Sequence, residues 1–231
     1  MTSKLNFPDA ESAKKLRDRY FRKYHSTVKA LTIAEEEGQL PIPEGWPKDK
    51  KFFDPNDLSE WWAKHLNFNL LGEKDTELIE MLESCPLKMV AFSNGPRKYV
   101  LRVLREMGLD HVFPDDRVFA VNDVLPACKP EKEAFQKVFD AVGVTDPSHC
   151  VMVEDSMKNI RAAKELGMST LLIAGLGRLK KNNNGEIDVL ADAAEATKAG
   201  DAPDGNDPSV DVCIEHVKGM KAALPGLWGM K

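Results

Sequence analysis

The sequence predicts an α/β protein in which a parallel sheet with covering helices follows an all-helical module. From residue 87 onward, short apolar segments alternate with segments of helical periodicity. Strands that alternate with helices in this way form right-handed βαβ units and a parallel sheet. The residues before them show helical periodicity alone. A hydrophobic content of 42% in 231 residues is sufficient for one core with a smaller appended module.

The N-terminal module is predicted to span residues 10–70 and to resemble a helical cap. Residues 11–37 are predicted to form one helix, because large apolar residues recur at the spacing of a single helix face. Residues 38–57 are rich in Gly and Pro and are predicted to be a loop, and residues 58–66 a short helix. The apolar positions of the first helix are Leu16, Tyr20, Phe21, Tyr24, Val28 and Leu31.

The α/β part is predicted to span residues 75–228 and to begin with a helix at 75–84, with Asp75 as its N-cap. Residues 178–208 are polar and are predicted to be a flexible insertion. The remaining predicted strands are 87–92, 118–121, 151–153, 170–174 and 211–214. The remaining predicted helices are 97–107, 131–142, 157–166 and 215–223, and Gly108, Gly143 and Gly167 are predicted to end the first three.

Charge and composition exclude several classes of protein. The net charge of −5 argues against a nucleic-acid partner, whose binding surface is basic. No run of about 18 apolar residues is present, so no membrane partner is expected. The N-terminal residues lack the apolar region of a secretory signal, which points to the cytoplasm or the nucleus. The four cysteines include no C-x-x-C pair, which argues for free thiols and against a zinc site.

Two predicted strand ends carry groups suited to binding an anion. Ser93, Asn94 and Gly95 follow the first strand, and a hydroxyl with the following backbone N–H groups can hold a phosphate oxygen. The alternative is an ordinary turn.

Lys129 precedes a proline at a predicted helix start and is a candidate fixed cation. Its alternative is a solvated surface lysine. Neighbouring Cys128 would need an activating base to act as a nucleophile, and none is apparent.

A third predicted strand ends in two adjacent carboxylates, Glu154 and Asp155. Adjacent carboxylates repel each other unless a cation lies between them, and Mg²⁺ takes such oxygen ligands together with water and substrate phosphate. Asn159 lies one helical turn further on and could orient a carboxylate or a metal-bound water. The alternative is a helix N-cap formed by Asp155 or Ser156.

Taken together, these segments resemble the motifs of the haloacid dehalogenase superfamily. A-F-S-N-G-P is similar to its second motif, A-C-K-P-E-K-E-A-F to its third, and V-M-V-E-D-S-M-K-N-I-R-A-A-K-E-L-G-M to its fourth. The fourth motif more often carries two aspartates, so Glu154 is a departure. Within the superfamily the chain looks most like pyrimidine 5′-nucleotidase-like proteins, a likeness that includes the C-terminal L-P-G-L-W.

This resemblance implies a Rossmann-like core and a Mg²⁺-dependent phosphomonoesterase acting on a small phosphorylated metabolite, such as a nucleoside 5′-monophosphate. Ser93 and Lys129 would be its catalytic residues, and Asn94 and Gly95 would join them in binding substrate. Glu154 and Asp155 would hold Mg²⁺, with Asn159 behind them.

One motif of the superfamily is missing, because the chain contains no Asp-x-Asp sequence. That motif supplies an aspartate nucleophile and an acid–base aspartate on the first strand. The nearest acidic runs, around Asp54 and at Asp115–Asp116, follow no apolar strand. We therefore expect an incomplete or inactive phosphohydrolase, with unpaired edges on two inner strands. The alternatives are a non-catalytic phosphate- or metal-binding homologue and a purely structural remnant.

Overall fold

A computed structural model describes residues 4–176, 179–181, 187–189 and 202–229. It confirms the predicted α/β class, with helices and parallel strands. The helices are α1 (Ala10–Tyr24), α2 (Thr27–Glu36), α3 (Pro55–His65), α4 (Thr76–Glu83), α5 (Arg97–Glu106), α6 (Val121–Val124), α7 (Lys132–Val142), α8 (Met157–Glu165) and α9 (Met220–Ala223). The strands are β1 (Ala91–Phe92), β2 (Val118–Phe119), β3 (Val151–Glu154), β4 (Ser169–Ile173), β5 (Leu179–Lys181), β6 (Ile187–Val189) and β7 (Val212–Ile214).

The chain divides into two compact units. The first comprises Met1–Lys74 and Met89–Lys129, and the second comprises Asp75–Lys88 and Pro130–Lys231. The sequence-based division at residues 10–70 and 75–228 stays a prediction, and each unit is described by itself below.

In the first unit, the prediction of a single helix over 11–37 is wrong, since α1 ends at Tyr24 and α2 begins at Thr27. His25 adopts a left-handed conformation with φ of 49° and closes α1. Ser26 is the N-cap of α2: its side chain accepts a hydrogen bond from the N–H of Lys29. The apolar face of α2 is nevertheless the one that the periodicity predicts. It joins α1 in a buried cluster that includes Val28 and Leu31.

The parallel pair β1–β2 also lies in the first unit, with Ala91 opposite Val118 and Phe92 opposite Phe119. Both strands are shorter than predicted, and the structure places only the last two residues of the predicted strand 87–92 in β1. The second strand ends at Phe119 because the Asp123 carboxylate accepts the Ala120 N–H at 2.8 Å and starts the helical turn of α6.

The second unit contains a parallel sheet in the order β3-β4-β7, which confirms the predicted strands at 151–153, 170–174 and 211–214. Helix α8 packs on β3 and β4, and Met157, Ile160 and Leu172 form a fully buried cluster there. Two predicted helix ends are confirmed as well. Asp75 is the N-cap of α4, accepting the Leu78 N–H at 3.0 Å, and Gly143 ends α7 with φ of 75°.

The segment that leads into β7 is fastened to β4 and α8 by polar side chains. The Thr170 hydroxyl donates to the Ser209 carbonyl oxygen at 2.6 Å and accepts the Asp211 N–H at 3.1 Å. The Arg161 guanidinium pairs with the Asp207 carboxylate at 2.8 Å. These contacts fix the approach to the last strand of the sheet.

Among the described residues, β1 pairs only with β2, and β3 pairs only with β4. Each of these strands therefore has one neighbouring strand among the described residues, and the expectation that they are inner strands left unpaired stays a prediction.

The predicted flexible insertion at 178–208 falls largely outside the described residues. Within it, the structure describes the antiparallel pair β5–β6, which the sequence reading missed. The predicted C-terminal helix 215–223 is a 3-10 turn at Val217–Gly219 followed by α9. Within the described part of the chain, no helix combines the length and apolar character needed to cross a membrane.

Candidate functional site

The chain forms a tight turn directly after β1, and this turn carries the predicted Ser93, Asn94 and Gly95. The Ser93 N–H continues the ladder by donating to the Phe119 carbonyl oxygen at 2.8 Å. The Ser93 hydroxyl oxygen accepts the Gly95 N–H at 3.0 Å. A Cβ atom on Gly95 would lie 3.2 Å from that hydroxyl oxygen and 3.3 Å from side-chain atoms of Tyr99, so glycine is the residue that fits without displacing its neighbours.

The Ser93 hydroxyl keeps a donor for a ligand. Within the described part of the chain its hydrogen has no acceptor, although its oxygen accepts the Gly95 N–H. Ser93 is half-buried. A fixed hydroxyl with an available hydrogen at the carboxyl end of a parallel strand can donate to an anionic oxygen.

Lys129 is buried, with 5% of its surface exposed, and so it is not the solvated surface lysine of the alternative reading. Its ammonium Nζ donates to the Phe92 carbonyl oxygen at 2.8 Å and lies 5.1 Å from the centroid of the Phe92 ring. Its main-chain N–H donates to Asn94 Oδ1 at 2.9 Å, and its carbonyl oxygen accepts from Asn94 Nδ2 at 2.7 Å. The structure thus brings Lys129 to the turn after β1.

Two residues that sequence reasoning missed complete this cluster. The Ser26 hydroxyl, which is 1% exposed, donates to the Asn94 carbonyl oxygen at 3.1 Å. The His25 carbonyl oxygen accepts from Asn94 Nδ2 at 3.4 Å. A serine just before an apolar helical run is an N-cap signal that could have located the α1–α2 boundary. The hydrogen bond between Ser26 and Asn94 could not have been predicted from the sequence around either residue.

Arg97, the first residue of α5, ties the turn to the end of β2. Its guanidinium donates to the Val118 carbonyl oxygen at 2.8 Å and pairs with Asp123 at 2.6 Å and Asp115 at 3.1 Å. Burial acts to lower the pKa of Arg97, but the two carboxylates raise it by more, so the pKa lies above its ordinary value. Arg97 therefore stays a cation that fixes the backbone around the turn.

Asp54 and Asp115, which belong to the acidic runs nearest to an Asp-x-Asp pattern, have structural partners. Asp54 is the N-cap of α3 and accepts the Asn56 N–H at 2.8 Å. Asp115 pairs with Arg97.

Cys128 is buried, and its thiol donates to the Tyr24 carbonyl oxygen at 3.2 Å. All four cysteines carry free thiols, as the composition predicts.

The carboxylates Glu154 and Asp155 lie in the second unit, where β3 ends and α8 begins. Glu154 Oε1 accepts the N–H groups of Asp155 at 3.2 Å and Ser156 at 3.4 Å. Ser156 holds the N-cap position without a capping side-chain hydrogen bond, so Glu154 performs part of the capping that the alternative reading gave to Asp155 or Ser156. Asn159 is buried in the first turns of α8.

The carboxylate oxygens at this strand end are of the type that binds hard cations such as Mg²⁺. Mg²⁺ binds through one or two carboxylates and takes its other ligands from water and substrate phosphate, and Glu154 and Asp155 supply two carboxylates. Among the described residues, no group of three or more His, Cys, Asp or Glu side chains is placed to hold a metal ion. The described residues thus supply two adjacent carboxylates at this strand end, and the magnesium assignment stays a prediction.

The predicted residues therefore fall into two sets. Ser93, Asn94, Gly95 and Lys129 come together in the first unit, linked by the hydrogen bonds described above. Glu154, Asp155 and Asn159 come together in the second unit.

Comparison with known proteins shows the family to which the chain belongs. A family model of haloacid dehalogenase-like hydrolases matches residues 26–167, and the chain belongs to this family of hydrolases. The match includes all three motif segments, from the turn after β1 to the acidic pair.

Individual relatives cover the chain in part. A phosphonoacetaldehyde hydrolase of Vibrio cholerae is 32% identical over 155 residues, which are 61% of this chain and 56% of the relative. A phosphoglycolate phosphatase of Pseudomonas savastanoi is 26% identical over 113 residues, which are 49% of this chain and 40% of the relative. The chain thus spans about half the length of the curated relatives it matches.

Among solved structures, L-2-haloacid dehalogenase from Xanthobacter autotrophicus is similar, with a TM-score of 0.52 and 18% sequence identity. The similarity covers 94% of this chain and 83% of that chain. At this level of identity the likeness shows the fold alone.

Proposed function

We propose that the protein is a phosphohydrolase that acts on the phosphomonoester of a small metabolite, with a nucleoside 5′-monophosphate as the candidate substrate. The observation that carries the proposal is Lys129, a lysine with 5% exposure whose main chain is held by Asn94 in the turn after β1. Ordering a lysine side chain costs conformational entropy, and a lysine that is already ordered can bind an anion without that cost.

The proposed roles follow from the chemistry of each group. Ser93 donates its hydroxyl hydrogen to one phosphoryl oxygen, and Lys129 places a positive charge beside another. Charge stabilisation of this kind is commonly the largest contribution to catalysis. In the second unit, Glu154 and Asp155 would hold Mg²⁺, a cation that can act as a Lewis acid in phosphoryl chemistry. Asn159 supports the two carboxylates from α8.

The names of the relatives support the substrate class. One is a phosphatase and the other hydrolyses phosphonoacetaldehyde, so both act on small phosphorus-containing metabolites. In this proposal, residues 10–70 form a cap-like module that selects the substrate, and the free cysteines suit a reducing compartment such as the cytoplasm or the nucleus.

A second candidate is a non-catalytic homologue that binds phosphate or metal and regulates another process. The absence of an Asp-x-Asp sequence from this chain favours it. For the enzyme candidate, the residue that attacks phosphorus is not among those of this chain. The non-catalytic candidate has no such residue. In both cases we expect little or no turnover from the chain alone.

The test combines binding with turnover. Orthophosphate binding is measured by calorimetry with Mg²⁺ present, and hydrolysis of p-nitrophenyl phosphate is measured in the same buffer. The variants are Lys129→Ala and, as a matched control, Lys132→Ala, whose exposed ammonium pairs with Glu165. The proposal predicts that Lys129→Ala weakens phosphate binding by roughly 100-fold, which calorimetry can still measure, and that Lys132→Ala leaves it unchanged.

The outcomes test the phosphate site and the expected lack of a nucleophile separately. Phosphate binding without turnover is the result that both candidates predict for this chain, and it supports the phosphate site at Lys129. Mg²⁺-dependent turnover that Lys129→Ala abolishes favours the enzyme and contradicts our expectation that the chain lacks its nucleophile. A wild-type chain that neither binds orthophosphate nor hydrolyses the ester contradicts the phosphohydrolase proposal.

A further inference from the structure

We infer that Asn94 is a positioning residue that fixes Lys129 through its main chain and does not itself bind the phosphoryl group. The inference rests on the proposed function, since it assigns Lys129 a ligand-binding role. It differs from the expectation that Asn94 binds substrate directly.

The hydrogen bonds of the Asn94 amide support this inference. A phosphoryl group offers only acceptors, so an asparagine can bind it only through the two N–H donors of its side chain. Asn94 Nδ2 already donates to the Lys129 carbonyl oxygen at 2.7 Å and to the His25 carbonyl oxygen at 3.4 Å. Both donor directions of Nδ2 are therefore engaged within the fold.

The pairing with Lys129 is two-sided. Asn94 Oδ1 accepts the Lys129 N–H at 2.9 Å while Nδ2 donates to the carbonyl oxygen of the same residue. One side-chain amide thus mimics a strand partner and satisfies both main-chain groups of Lys129. Because the residue is buried, losing this partner would leave main-chain donors and acceptors without compensation from water.

The ammonium group of Lys129 is also bound by the chain segment that carries Asn94. Its ammonium donates to the Phe92 carbonyl oxygen at 2.8 Å, two residues before Asn94. The lysine is therefore fixed at its main chain by Asn94 and at its ammonium by Phe92, which sets the position of the charge relative to the turn. Removing the Asn94 amide would release the first of these two attachments.

Asn94 also joins the turn to the α1–α2 junction. The Ser26 hydroxyl donates to its carbonyl oxygen at 3.1 Å, and the His25 carbonyl oxygen accepts from its side chain. Three segments that are far apart in sequence therefore meet at one residue. Through these contacts Asn94 links the helical module to Lys129.

The experiment uses the full chain and two readouts. The first, made without ligand, is the hydrogen exchange rate of the Lys129 amide by NMR. The variants are Asn94→Ala and the milder Asn94→Asp, which retains the acceptor for the Lys129 N–H. The control is Asn122→Ala, which removes a side chain that accepts the Arg97 N–H in the same unit. We expect faster exchange at Lys129 in Asn94→Ala, a smaller change in Asn94→Asp and none in the control.

The second readout is the affinity for orthophosphate in a double-mutant cycle of Asn94→Ala and Lys129→Ala. We expect Asn94→Ala to weaken binding roughly 10-fold, as is usual for residues that orient a ligand-binding group. The double variant should bind no more weakly than Lys129→Ala alone, because Asn94 acts through Lys129. Additive losses would show that Asn94 contacts phosphate and would overturn the inference.

The two readouts keep this inference separable from the proposed function. If the wild-type chain does not bind orthophosphate, the proposed function fails, and the exchange rate still decides whether Asn94 holds Lys129. If Lys129 exchanges equally fast in the wild type and in both Asn94 variants, the positioning role is refuted whatever the phosphate result. Should Asn94→Ala not fold, Asn94→Asp supplies both readouts.

Discussion

Thr170→Val removes one buried hydroxyl while nearly conserving the shape of the side chain. Thr170 lies in β4 with 1% of its surface exposed, and its hydroxyl links β4 to the segment before β7 through Ser209 and Asp211. Valine is a good strand residue and fills the same space, so the variant leaves no cavity. The Thr170 N–H also keeps its hydrogen bond to the Asp211 carboxylate at 2.9 Å. The change therefore removes only the hydrogen bonds of the hydroxyl, which include a longer one to the Asp211 carboxylate at 3.3 Å.

The structure sets the size of the effect. Each neutral hydrogen bond contributes about 0.5–1.5 kcal/mol to the free energy of unfolding, and a buried group left unpaired costs more. The partners that lose the hydroxyl are the Ser209 carbonyl oxygen and the N–H and carboxylate of Asp211, and neither Ser209 nor Asp211 is a buried residue. We therefore expect a loss of about 2 kcal/mol. For a chain of this length, that loss lowers Tm by roughly 4–8 °C.

The assay is urea unfolding of the wild type, Thr170→Val and the control Thr170→Ser. Serine keeps the hydroxyl and loses one methyl group, which costs about 1 kcal/mol. We expect stability to decrease from the wild type to the serine variant and then to the valine variant, with similar m-values throughout. A valine variant that is as stable as the wild type, or more stable than the serine variant, would refute the role given to the Thr170 hydroxyl.

Two further predictions concern titrating groups of the second unit. Burial, with a smaller contribution from the Asp204 charge, raises the pKa of Cys213 to about 11. Its alkylation by iodoacetamide should therefore rise roughly tenfold per pH unit between about pH 7.5 and 9.5, and a rate that levels off in that range would contradict this value. Burial raises the pKa of Asp207, but the Ser209 N–H and the Arg161 guanidinium outweigh it and lower the pKa below its ordinary 3.8. A lowered pKa stabilises the fold above the ordinary value, and the gain is lost as pH falls through the folded pKa. The stability gap between the wild type and Asp207→Asn should thus close below about pH 3.8, and a gap that persists in acid unfolding would count against the ion pair.

Local signals in the sequence predicted much of the fold. Asp75 and Gly143 mark the ends of α4 and α7 because an N-cap carboxylate and a left-handed glycine act within one helical turn. The break between α1 and α2 was missed because the helical periodicity continues across it. The Ser26 hydroxyl there bonds to Asn94, a partner far away in sequence. The N-cap role of Ser26 is a local signal that was there to be read, whereas its contact with Asn94 leaves no trace in the periodic pattern.

The candidate site shows the same limit. Residue type and position at a strand end singled out Ser93 and Lys129, but nothing local distinguishes a buried lysine from a surface one. The burial of Lys129 depends on its pairing with Asn94 and on the Phe92 carbonyl oxygen, and both are long-range contacts. The role of Asn94 as the partner of Lys129 was likewise not readable from sequence, because it requires the two segments to be brought together.

The most direct test of the account is an NMR titration of the full chain with orthophosphate in the presence of Mg²⁺, following the backbone amides of Ser93 and Lys129. The account predicts saturable shifts at both amides, with the same dissociation constant, which Lys129→Ala raises by roughly 100-fold and Lys132→Ala leaves unchanged. Absence of a saturable shift at Ser93 and Lys129, or a dissociation constant that Lys129→Ala leaves unchanged, would contradict the claim that the turn after β1 holds a phosphoryl group.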